Sequence, residues 1–105
     1  GVWGNTLGEM FISQPLTCIL RKVSAEGIIS VYGGTSVCSF SGDGGPATSA
    51  TVYSPQFITG DTNSNLYVSD YYNSKIRRIG YSGGIISSLV LQQDTIKVCG
   101  YLITC

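Results

Sequence analysis

The chain has 105 residues, 43% hydrophobic and only 11% charged, and its formal net charge is zero. This composition excludes a disordered polymer. No basic run exceeds the pairs Arg21-Lys22 and Arg77-Arg78, and no apolar run reaches bilayer length, so neither nucleic-acid binding nor membrane insertion is expected.

Fourteen glycines and seven tyrosines among many Ser and Thr suit short strands and tight turns, and no window holds apolar residues at helical spacing for three turns. The expected class is all-β. In chain order, residues 1–24 form the first copy of a tandem repeat. Gly4, Thr6, Ser13 and Arg21 recur 56 positions later as Gly60, Thr62, Ser69 and Arg77. Met10-Phe11-Ile12 recur as Leu66-Tyr67-Val68. After one inserted residue, Gly27-Ile28-Ile29-Ser30 returns unchanged as Gly84-Ile85-Ile86-Ser87.

The second copy divides into strand-sized pieces, Gln56 to Gly60, Leu66 to Asp70, Lys75 to Gly80 and Gly84 to Val90. The separators, such as Asp61 to Asn65 and Tyr71 to Ser74, carry residues that tolerate turn conformations. Four short antiparallel strands per repeat describe one blade of a β-propeller. The stretch Ser41 to Ser87 resembles the NHL repeat in its long-loop form. The resemblance rests on Gly42 to Ala47, Pro55, Asn65 to Asp70, Tyr72-Asn73, Ile76 to Ile79 and Gly84 to Ile86. It implies NHL-type blades of four antiparallel strands and an incomplete ring within this chain. Residues 1–33 are then a partial first blade, 34–55 a Gly-rich connecting loop, 56–90 a second blade, and 91–105 a divergent C-terminal strand or cap. The first copy has Gln14 to Thr17 where the second has Asp70 to Asn73, so its turn chemistry differs.

Blades bury their faces only against neighbours. Other blades are therefore expected partners, from a longer parent chain or from further copies joined head to tail. The chain starts without Met and without a signal-peptide pattern, which leads to the expectation of a processed or excerpted chain.

The site residues read as follows. Zinc-using lyases of this fold depend on His ligands, and the sequence has no His. No catalytic residue, metal ligand or cofactor is expected, and the protein is expected not to be an enzyme. Asp43 resembles a metal loop only superficially and is expected to bond its own backbone in a glycine-rich turn. Asp70 is expected to cap the following turn and to pair with Arg77 on the adjoining strand, the competing reading being a charged recognition site. Of Tyr71 and Tyr72, one is expected to pack while the other stays exposed, which makes Tyr71, Tyr72 and Asn73 candidate contacts for a protein or glycan. Trp3 is expected to fill the space between blades.

Four cysteines in a short chain favour disulfides and a secreted, extracellular location over reduced core thiols. Blade geometry makes Cys18–Cys38 reasonable and leaves Cys99 with Cys105, although four cysteines allow three pairings and bonds to another chain stand beside them. The leading functional expectation is a non-catalytic extracellular module for protein or glycan interaction. Beside it stand a structural subunit that polymerises into a fibre through its blade edges, and a portion of a propeller enzyme whose active residues lie elsewhere.

Overall fold

The computed structural model describes residues 1–89. The expected strand or cap at 91–105, with Cys99 and Cys105, lies outside the described residues. Two four-stranded antiparallel sheets each run in simple chain order. The first contains β1 (Val2–Gly4), β2 (Met10–Gln14), β3 (Ile19–Val23) and β4 (Ile29–Gly33). The second contains β5 (Pro55–Gly60), β6 (Leu66–Asp70), β7 (Lys75–Ile79) and β8 (Ile86–Ser88). Their registers match one repeat apart. Ile12 lies opposite Val2 and Arg21, as Val68 lies opposite Ile58 and Arg77.

The same side-chain devices shape both copies. Asn5 Oδ1 accepts from the Leu7 and Glu9 amides at 3.1 and 3.0 Å, and Asp61 Oδ1 accepts from the Asn63 and Asn65 amides at 2.9 and 3.0 Å. Each carboxylate or carboxamide thus closes the turn between the first two strands of its sheet. The Phe57 amide donates to Ser69 Oγ at 2.9 Å, and the Gly1 nitrogen donates to Ser13 Oγ at 2.8 Å. The last strand begins at Ile86 rather than at Gly84. Gly83 and Gly84 adopt φ of 90° and 66°, which keeps them in the turn. Pro55 joins β5 opposite Asp70.

The core lies between the two sheets. Phe11 and Leu20 enter from the first, and Ile58, Leu66, Val68, Ile79 and Ile86 from the second. Ala47, Ala50 and Val52 of the connecting segment fill the space between them. Burying each of the larger side chains is worth about 1.5–3 kcal/mol. Trp3 is half-buried against this core, as expected of an inter-sheet filler. Its ring sits on Gly60, where a Cβ would fall 2.3 Å from the indole, so only glycine fits.

Backbone hydrogen bonds fasten the connecting segment to both sheets. Gly34 N–H donates to Ala47 O at 3.0 Å, and Ala47 N–H donates to Gly84 O at 2.9 Å. Gly44 N–H donates to Ile86 O, and Ile86 N–H donates to Gly45 O. A disulfide between Cys18 and Cys38 ties the start of this segment to the β2–β3 turn.

The far side of the first sheet is different. Val2, Met10 and Ile29 are exposed there, yet their repeat equivalents Ile58, Leu66 and Ile86 are buried in the core. One sheet shows bare the same face that the other keeps covered.

Candidate functional site

Up-and-down order places the β2–β3 and β6–β7 turns at one end of the molecule, together with the connecting segment. At that end the chain leaves β6 through a 3-10 turn, Tyr71–Asn73, and re-enters β7 through Ser74 in the left-handed region at φ 52°. Asp70 and Arg77 flank this turn and are both fully buried. Asp70 Oδ1 accepts from the Tyr53 amide at 2.7 Å. Its Oδ2 accepts from Arg77 Nη1 at 2.8 Å and from Asn73 Nδ2 at 2.9 Å. Arg77 also donates from Nε to Asp43 Oδ1 at 3.1 Å, from Nη1 to Thr51 O at 3.1 Å and from Nη2 to Ser41 O at 3.0 Å. Every guanidinium nitrogen is engaged. The Phe40 ring lies over the guanidinium, 4.7 Å from its carbon, and Lys75 Nζ lies 5.1 Å from the same ring.

This polar knot holds a cluster of rings at the surface. Tyr72 packs edge-to-face against Tyr53 and Tyr71, with ring centroids 5.1 and 5.2 Å apart. The Tyr72 amide donates to Tyr53 O at 3.2 Å, and Asn73 Nδ2 donates to Ser39 O at 3.1 Å. Tyr71 and Tyr72 remain 43% and 65% exposed. The patch offers apolar ring area and phenolic hydroxyls on an ordered base.

Three expectations are corrected at this end. Asp43 bonds Arg77 rather than its own backbone, because the connecting segment folds over β7 and brings the carboxylate to the guanidinium. Asp70 pairs with Arg77, but it holds its turn through the Asn73 side chain and gives no side-chain cap to the turn's amides. Both Tyr71 and Tyr72 are exposed, since they occupy a 3-10 turn, in which successive side chains do not alternate between two faces. Tyr53 and Phe40 complete the patch and were missed. Their signal was weak, because both sit in the connecting segment, whose path no local pattern encodes.

The first sheet carries a reduced version of the knot. Arg21 Nε donates to Gln14 Oε1 at 2.8 Å, in the positions of Arg77 and Asp70. At the opposite end, Glu9 joins the two sheets. It pairs with Lys22 at 2.8 Å and accepts from the Tyr81 hydroxyl at 2.9 Å. Hydrogen bonds from Lys22 and Asn5 hold the Glu9 carboxyl below its ordinary pKa, and Asn65 foremost does the same for Asp61. Among the described residues, no group of three or more His, Cys, Asp or Glu is gathered as a metal site.

No protein-family model matches the chain, and no curated protein matches it. Solved structures do. A streptogramin B lyase superposes with a TM-score of 0.62 at 19% identity, over 90% of this chain and 26% of that one. Virginiamycin B lyase from Staphylococcus aureus superposes with a TM-score of 0.58 at 17% identity, over 89% of this chain and 27% of that one. The two sheets are β-propeller blades. They form an incomplete ring, and the chain spans about a quarter of the length of those solved chains. The expectation that the protein is not an enzyme is overturned by this comparison, because the propellers it is similar to are lyases. The absence of His excludes His-based chemistry from these two blades, but it was too narrow a basis for excluding catalysis.

Proposed function

We propose that the chain is the blade pair of an NHL-type propeller working outside the cell, and that the Tyr53–Tyr71–Tyr72 patch binds a protein partner. In this reading residues 1–33 are a partial first blade, 34–55 the connecting loop and 56–90 the second blade. Further blades cover the bare face bearing Val2, Met10 and Ile29. The carrying observation is the exposed Tyr72 ring packed edge-to-face against both Tyr53 and Tyr71, with Tyr71 and Tyr72 on a turn anchored by a fully buried ion pair. Tyrosine is enriched among residues that dominate protein interfaces, since it offers large contact area at low entropic cost. The Cys18–Cys38 bond supports an oxidising compartment. The test is an array of extracellular protein domains probed with this chain and with Tyr71→Ser/Tyr72→Ser. A specific partner should lose about 30-fold or more in affinity with the double variant. Partners bound equally by both forms would refute the assignment of the patch.

A second reading starts from the lyase names of the solved structures: the blades are part of a propeller enzyme. Incubation with virginiamycin B, followed by mass spectrometry of the antibiotic, tests it. Turnover by this chain or by a longer protein containing it supports the reading, and unchanged antibiotic with the longer protein opposes that substrate.

A further inference from the structure

At the end away from the tyrosine patch, the β1–β2 and β5–β6 turns border an open groove of about 550 Å³ between the blades. It is lined by Trp3, Asn5 and Thr6 from the first blade and by Asp61, Thr62 and Ser64 from the second. A volume in this range suits a small ligand. The walls are well braced. Asn5 Nδ2 donates to Ser64 Oγ across the groove at 3.2 Å, and it also donates to Glu9. Asp61 is saturated by the amides of Asn63 and Asn65, the Asn65 side chain and the Tyr67 hydroxyl.

This lining selects a ligand chemistry by elimination. The carboxylate of Asp61 already accepts four hydrogen bonds, which leaves it poorly suited to hold a metal ion. No lining residue is cationic, so an anion would meet the Asp61 charge without compensation. What the groove offers is the half-buried indole of Trp3 and the exposed hydroxyl-bearing turn residues Thr6 and Thr62. An indole and hydroxyl-bearing turns lining one groove match a neutral ligand that has one C–H face and several hydroxyl groups. We infer that this groove is a binding site for a neutral saccharide, stacked on Trp3 and hydrogen-bonded by the Thr6 and Thr62 turns. The site lies apart from the tyrosine patch and does not depend on it.

Trp3 is the sole tryptophan of the chain, so its fluorescence reports on this groove directly. The experiment titrates the whole chain with glucose, galactose, mannose, N-acetylglucosamine and their disaccharides into the high millimolar range. A saturable change in Trp3 emission is expected with at least one of them. Thr62→Val, on an exposed turn that should fold normally, is expected to raise the dissociation constant about tenfold. Thr6→Val is a second variant of the same kind. The 6-phosphate of the best sugar should bind more weakly than the sugar itself, and Tyr72→Ser should leave the titration unchanged. The inference is overturned if no sugar gives a saturable change, or if both threonine variants bind as the parent does. Loss of sugar binding in Tyr72→Ser would overturn the separation of the two sites, and failure of the protein array leaves this result unaffected.

Discussion

Arg77 shows how one buried charge can organise a surface. Its guanidinium collects two carboxylates and two carbonyls from three separate stretches of chain. Breaking such a set leaves uncompensated charge in the interior. Arg77→Met is therefore expected to cost about 3–5 kcal/mol, read from urea denaturation. Asp43→Asn should cost about 1 kcal/mol or less, because that carboxylate is partly solvated. If both variants lose the same stability, the ion pair with Asp70 is not the dominant contact. Tyr72→Ser, by contrast, should change stability by less than about 0.5 kcal/mol. The pairing of Asp70 with Arg77 was legible in the sequence as opposite charges on adjoining strands, although the register sets Lys75 opposite Asp70 and Arg77 on the diagonal, opposite Val68. The pairing with Asp43 was not, since those residues lie 34 positions apart and meet only through the path of a long loop.

At the scale of elements, the repeated turns carry the recognisable signal. Strand positions were readable because the same apolar and glycine positions recur in both copies. The turn chemistry of Asp61 was visible only as turn tolerance and that of Asn5 was not read, although an Asx residue accepting from the amides two and four positions on is a local pattern. These turns make stability depend on pH. Glu9 and Asp61 hold their protons less tightly in the fold than in the unfolded chain, Glu9 chiefly through Lys22 and Asp61 chiefly through Asn65. The unfolded state therefore takes up more protons in acid. Their contribution should be complete above the ordinary carboxylate range and should fade as pH drops through the lowered folded values. Thermal melts between about pH 7 and pH 2 should show this decline, and it should shrink in Asp61→Asn. A pH profile identical in that variant would remove Asp61 from the account. Glycine at two close approaches is equally specific. Gly60→Ala would push a methyl into the Trp3 ring, and Gly42→Ala, at φ 92°, would strike Ala50. Each should cost about 1–3 kcal/mol, and only Gly60→Ala should also move the Trp3 emission.

For the whole molecule, the disulfide and the two unlike faces set the behaviour. Cys18 and Cys38 are 20 positions apart, so reducing their bond releases a modest loop. Cys18→Ser/Cys38→Ser is expected to lose about 2–4 kcal/mol against denaturant, and the parent should match it once reduced. Equal stability of oxidised parent and double variant would show that the bond contributes nothing. The paired cysteines were legible once strand order was assigned, because blade topology brings both loops to one end.

The bend at Cys18 belongs to the repeat rather than to the cross-link. Cys18 has φ of 57°, and its counterpart Ser74 has φ of 52° without any bond to hold it. The sulfur bridge therefore uses a left-handed crook that each copy makes for its own reasons. Its removal should loosen the tether while leaving the local backbone path intact. By the same logic the crook at Ser74 is a ready mount where a second bridge could be engineered.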